Sequence, residues 1–339
     1  MKATLLVFAI LVATVMLSAQ LSVTPEMKFI FDNNTFELSD YDLEEFENGD
    51  PDFDFIVTTD DFIISPSLRM EYQFKLSKKL KLTPFISGKY DLYTQNSDRT
   101  KYSTSGGMKS DFGKLDISLM YGYYPGNYTR MYDVDPFGLQ KYEYDKNMYK
   151  LSGDYKIFRK DWVYIDAKYE QYFYNEYWTH YDGDQLTFGV GWRHSFRTFY
   201  LKLFYRYSDY KCDDPLLDKY DSRDYTNQAN HYNISFINKK VEVFRRKYIK
   251  PRLSFAIEEK HFQTDLQDKL HNGRTDKKYT LNVGCKFYFF KDIVIDFDYM
   301  HQYRKASSDY EPSGSDAFDF ERYKNYLKNE FSLAVEYEF

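Results

Sequence analysis

The chain closes on F-S-L-A-V-E-Y-E-F, Phe331 to Phe339. Phe331, Leu333, Val335, Tyr337 and Phe339 share one parity, and Ser332, Ala334, Glu336 and Glu338 share the other. Alternate side chains of an extended chain point to opposite faces, so this is a β-strand with one oily and one polar face. Such a strand must cover its oily face with other apolar side chains or with lipid.

Segments of the same kind recur along the chain. The alternation predicts strands over Met27–Asn33, Phe62–Leu76, Leu80–Tyr93, Tyr102–Phe112, Lys114–Tyr124, Met148–Phe158, Trp162–Tyr174, Asp184–Phe196, Thr198–Tyr210, Asn227–Ile237, Tyr248–Phe262, Lys278–Phe290, Asp292–Arg304 and Tyr323–Phe339. Alternation is weakest in the first and fourth. Connections after even-numbered segments are tight: Ser77-Lys78-Lys79, Arg159-Lys160-Asp161, a single Arg197, a single Lys291. Those after odd-numbered segments are long and polar, among them Asn34–Asp61, Pro125–Asn147, Lys211–Thr226 and Lys305–Arg322. Short turns on one side and long loops on the other mark a transmembrane barrel. The predicted fold class is all-β: a transmembrane antiparallel up-and-down β-barrel of about 14 strands, with 12 and 16 as alternatives. A soluble sandwich also alternates, but strands this long and connections this unequal favour the barrel.

The terminal strand, with its final Phe339, resembles the last strand of Gram-negative outer-membrane β-barrels, and the whole pattern resembles the monomeric fourteen-strand porins in architecture. The resemblance implies that Phe331, Leu333, Val335, Tyr337 and Phe339 form the insertion signal read by the barrel-assembly machinery. It further implies residence in the bacterial outer membrane, contact with its lipid and lipopolysaccharide, short periplasmic turns and long extracellular loops. Small hydrophilic solutes, oligosaccharides among them, would be the cargo, and no cofactor is implied.

The opposite end fits export. Lys2, an apolar run from Ala3 to Leu17, then Ser18 and Ala19 read as a secretory signal peptide over residues 1–19, which leaves 20–339 as one barrel domain. The apolar core falls short of the roughly 20 residues a membrane-spanning helix needs. A mean hydropathy of −0.67 leaves strands as the only way across a bilayer. With 36 Tyr, 30 Phe and 3 Trp the chain is rich in residues that favour strands and membrane interfaces. A net charge of −6 argues against nucleic acid as a partner. Cys212 falls just past the outer end of one strand and Cys285 toward the periplasmic end of another, so no disulfide is expected.

The polar parity would line the lumen. Near mid-height it places Arg69, Glu71, Lys89, Lys168, Lys202, Arg206, Arg252, Asp298 and Glu330, which either select solutes or pair with each other across strands. Trp162, Tyr164, Tyr172, Tyr200 and Phe204 are the lumen aromatics, available to stack on sugar rings. Residues 37–61 hold eleven carboxylates and neither Lys nor Arg, which reads as a solvated loop or a cation-attracting vestibule. The third long loop carries Asp135-Pro136-Phe137-Gly138, slightly similar to the infolded constriction loop of trimeric porins. Two other functions stay open. One is a surface adhesin or envelope scaffold using the acidic loops; the other is a barrel-borne hydrolase using His180 or His231. His194, His261 and His301 fall on the lipid parity. Thr179 to Asp184 is the best candidate for a metal or acid/base site, but a Gly-Asp turn accounts for it, so no metal and no catalytic residues are assigned.

Overall fold

The computed structural model describes residues 20–134, 136–213, 216–217, 222–244, 247–264, 271–289, 292–308 and 324–337. Fourteen strands form one closed antiparallel sheet in chain order. They are β1 (Gln20–Asp32), β2 (Asp61–Lys75), β3 (Lys81–Tyr93), β4 (Lys101–Asp111), β5 (Leu115–Val134), β6 (Gly138–Lys156) and β7 (Asp161–Tyr174). Then follow β8 (Gly183–Ser195), β9 (Phe199–Cys212), β10 (Asn227–Asn238), β11 (Lys247–Phe262), β12 (Arg274–Tyr288), β13 (Ile293–Ser308) and β14 (Tyr326–Tyr337). A short extra strand, Val241–Phe244, adds to β11 at the turn end.

The weak first strand closes the barrel. Met27, Phe29 and Phe31 pair with Val335, Leu333 and Phe331 on the oily face, while Lys28 and Asp32 meet Ala334 and Glu330 on the other. A sheet closed this way has no edge with unpaired backbone groups, which lipid would not tolerate. The oily parity points outward on every side. Ile165, Leu119, Phe188, Leu203 and Leu253 are exposed, as are Phe331, Leu333, Val335 and Tyr337 of the terminal strand. A continuous exposed apolar surface around a closed sheet is the lipid face of a transmembrane barrel.

Three expectations change. First, β1 begins at Gln20, seven residues ahead of the predicted start, because Gln20 to Pro25 pair with β2 below the reach of β14. Second, Pro125–Asn147 is not a long polar loop. β5 and β6 continue through it as a two-stranded extension, and bulges at Tyr124/Asn127 and Tyr128/Arg130 take up the residues that do not fit the ladder. Third, the Pro136-Phe137-Gly138 part of the proposed constriction loop is the tip of that hairpin, with the Phe137 ring exposed and leaning on Tyr177; Asp135 lies outside the described residues. The signal-peptide reading of 1–19, the loop over 309–323 and Phe339 also lie outside them.

The loop that folds inward is the first. Ser39 caps a nine-residue helix, α1 (Asp40–Asn48): its hydroxyl accepts from Asp42 N, and the Asp42 carboxylate accepts from Ser39 N. Gly49, at φ 76°, ends the helix in the left-handed conformation. Phe36, Leu38, Phe53 and Ile56 pack together against Tyr128 of the extended β5. Asp40, Glu47, Asp52 and Asp54 around them are exposed, so the acidic loop still has an apolar underside.

Candidate functional site in the barrel lumen

Direct cross-strand partners point the same way, so the register traces one inner face around the barrel. One row runs Asp154, Tyr164, Gly191, Phe204, Asn233, Ala256 across six strands. All nine predicted lumen charges lie on this face. Eight of them are in ion pairs. Arg69 and Lys109 share Glu71 at 2.5 and 2.8 Å; Lys89 meets Asp91 at 2.9 Å; Lys168 meets Glu170 at 2.5 Å. Arg206 meets Asp166 at 2.9 Å, and Lys28 approaches Glu330 at 3.9 Å. Arg252 bridges Asp296, at 2.8 Å, and Asp298. Gly284 makes room for this last pair: a Cβ there would fall 2.0 Å from Asp298 Oδ1. Lys202 is the ninth, and no carboxylate among the described residues reaches it.

Lys202 lies instead over aromatic rings, 4.7 Å from the Tyr164 centroid and 5.3 Å from that of Phe204. Arg193, which the sequence reading did not single out, sits 4.4 Å over Trp162 and within 5.6 Å of Tyr164 and Tyr200. Its parity, opposite to Val190 and Trp192, was the available signal. Four of the five predicted lumen aromatics therefore come together near the turn end, and their faces carry cations. Tyr172 is the exception. It lies toward the loop end against Tyr144 and Tyr210.

The loop end is filled. Rings from Tyr142, Tyr174, Tyr181, Tyr225, Phe262 and His271 form a chain with centroid separations of 4.9 to 6.2 Å. Opposite this band the first loop docks: Tyr326 donates to Glu37 Oε2 at 2.8 Å, Asn34 Nδ2 donates to Leu327 O at 3.1 Å, and Arg130 meets Asp42 at 3.2 Å. Inner-face residues beneath these groups are shut off from water; Tyr326 and Asp61 are each 2 % exposed. Asp61 accepts the backbone N–H groups of Thr94, Gln95 and Asn96, so it ties down the second loop. By contrast, the Lys89, Lys109 and Arg206 side chains are 40 % or more exposed within the bore. Among the described residues, inner-face side chains are thus open to water at mid-height and buried toward the loop end.

Electrostatics hold the cap. Burial pushes the Glu37 carboxyl up, but Lys328, the Tyr326 hydroxyl, Lys278 and Arg304 outweigh it and keep Glu37 below the ordinary carboxylate value. Lys324, near Asp42, is pushed down to about 8 by burial and by the cations of Arg274, Arg304 and Arg130.

The hydrolase residues do not converge. His180 stacks on Tyr181 at 4.2 Å in a short turn, whereas His231 stands between Arg206 and Glu258 in the lumen wall. Asp182 accepts from Tyr174 N at 2.5 Å, which is turn chemistry. Cys212 and Cys285 are separate free thiols, and among the described residues no group of three His, Cys, Asp or Glu is arranged to hold a metal.

No protein family and no curated protein matches this chain. Solved structures of the same general shape include an anion-selective porin from Comamonas acidovorans, 10% identical, TM-score 0.46, covering 95% of this chain and 99% of that one. A bacterial polysaccharide outer membrane secretin is 8% identical, TM-score 0.46, covering 93% and 98%. OmpF of Salmonella typhi is 10% identical, TM-score 0.44, covering 95% and 97%. Likeness this distant says nothing about what this chain carries.

Proposed function

We propose that this protein is an outer-membrane channel for small hydrophilic solutes, with diffusion through the charged bore governed by the docked first loop. The observation that supports it is the polar inner face, continuous around fourteen strands and open to water at mid-height behind a lipid-facing shell. Eight-stranded barrels fill with side chains and those of sixteen to eighteen hold channels; fourteen strands approach the open case. The oily face would meet outer-membrane lipid and lipopolysaccharide, and the terminal strand would be read by the assembly machinery. The adhesin alternative loses support because Glu37 and Asp42 are engaged by Tyr326 and Arg130 of the barrel.

The test is planar-bilayer recording with the purified, folded chain and with a variant lacking residues 37–58. Stepwise conductance in the full chain, raised in the deletion, is expected. A folded deletion variant without steps would overturn the channel reading.

A further inference from the structure

Arg193 and Lys202 stand directly opposite each other in the β8–β9 ladder. Like charges in that position repel, yet neither has a carboxylate partner among the described residues, and Arg193 Nε is buried with no hydrogen-bond partner. Of the carboxylates on this wall, Asp166 is taken by Arg206 at 2.9 Å, and Asp154, opposite Tyr164 in the ladder, attracts both cations only from beyond ion-pair distance.

Rings hold these cations in place. Trp162, Tyr164 and Phe204 alternate with Arg193, Lys202 and Arg206 up the wall, and Lys156 lies 5.3 Å from the Trp162 centroid. An aromatic face steadies a cation through its quadrupole but leaves the charge in place, whereas a carboxylate cancels it. Two glycines make this arrangement fit. A Cβ at Gly191 would meet Phe204 Cδ2 at 2.3 Å, and one at Gly189 would meet Asp166 Oδ1 at 2.1 Å. The wall is flattened so that ring and guanidinium lie against it, with the charges toward the bore.

We propose that Lys156, Arg193 and Lys202 form a binding subsite for solutes bearing carboxylate or phosphate groups. A guanidinium offers paired donors to such a planar or tetrahedral oxyanion, and Lys202 adds a mobile charge beside it. This deepens the channel reading and rests on it only in needing water in the bore at this depth.

The experiment is calorimetric titration of the folded full-length protein in micelles with citrate and, separately, with inorganic phosphate, alongside bilayer recording. Both arms are carried through Lys202→Glu, Arg193→Met and, as a charge-matched control in an exposed turn, Lys78→Glu. Binding of at least one anion is expected, weakened tenfold or more in the two lumen variants and unchanged in the control. Lys202→Glu also places a carboxylate opposite Arg193, so its thermal midpoint should equal or exceed that of the wild type; lost binding then cannot be misfolding. Citrate alone or phosphate alone would name the group recognised. Anion binding without conductance would overturn the channel and keep the subsite. Conductance without binding, or binding indifferent to both lumen variants, would overturn the subsite.

Discussion

Gly191→Ala tests whether the flattened wall is structural. The added Cβ would lie 2.3 Å from Phe204 Cδ2, more than 1 Å inside the 3.4 Å at which ordinary contact begins, and 2.9 Å from the Leu203 carbonyl oxygen. The carbonyl belongs to the ladder and stays fixed, so the Phe204 ring must turn into the bore. In doing so it leaves Lys202, 5.3 Å from its centroid, and Arg206, 4.6 Å away. Each such contact is worth about 0.5–1 kcal/mol when partly exposed, and overpacking a fitted site costs about 1–3 kcal/mol. Together these give a loss of about 2–5 kcal/mol. Gly88→Ala is the reference, because its Cβ would meet nothing nearer than Ser103 O at 4.0 Å and carries only the backbone effect of replacing glycine. Equilibrium unfolding of both variants in lipid vesicles, followed by tryptophan fluorescence, measures the difference. Two midpoints within about 0.5 kcal/mol of each other would refute the reasoning.

Tyr326→Phe removes the hydroxyl that donates to Glu37 and accepts from Gln302 Nε2, at a site 2 % exposed. Glu37 is held at φ 53°, a strained position for a non-glycine residue, so loss of about 1.5–3 kcal/mol of charged hydrogen bonding should free the first loop. Limited proteolysis over residues 34–61 should accelerate at least tenfold. Acid should act on the same contact. A carboxyl held below its ordinary 4.5 stabilises the docked loop above that pH and ceases to do so as the pH falls through the lowered value. Conductance should therefore rise below pH 4.5 in the wild type, and Glu37→Gln should abolish that dependence. Arg252→Met leaves Asp296 and Asp298 with Lys286 alone, 3.6 Å from Asp296. The site is about a quarter exposed, so the cost should be about 1–3 kcal/mol, below the 3–5 of a fully buried pair. A lower thermal midpoint in Arg252→Met, absent in the double variant with Asp298→Asn, is the expected sign.

Period two carried most of the fold, because a strand between lipid and water must alternate and each slip of one residue inverts every side chain. It placed Trp162, Tyr164, Lys202 and Arg206 on one face without any knowledge of which strands touch. It failed where local chemistry and ladder pairing disagree. Pro125, Gly126 and Gly138 read as loop formers, but Gly126 at φ 54° and Gly138 at φ 72° serve a bulged hairpin that the β5–β6 ladder continues through. The cap was hidden for a different reason. Eleven carboxylates in residues 37–61 outweigh Phe36, Leu38, Phe53 and Ile56 in any reading by composition, and only their docking against Tyr128 shows that the loop has an inside.

The lumen treats its cations in two ways, and the difference sets one stretch of wall, around Trp162 and Phe204, apart from the bed of the first loop. Toward the loop end, Lys328 meets Asp32 at 2.7 Å and Arg274 meets Asp276 at 2.7 Å, both pairs nearly shut off from water. Charges matched this closely carry little field beyond their own contact, and they rigidify the wall on which the first loop rests. Toward the turn end, Arg193 and Lys202 are steadied by rings and keep their charge. A cation fixed in position yet without a carboxylate in contact, in a bore whose walls have low dielectric, projects its field into the water beside it. Reversing the assignment would fail on both counts: unpaired cations under the cap would repel one another out of a dry site, and carboxylates beside Arg193 and Lys202 would leave a passing anion nothing to meet on that wall. The cap and the ring-held cations are thus two uses of one inner face, separated by what each strand sets opposite its lysines and arginines.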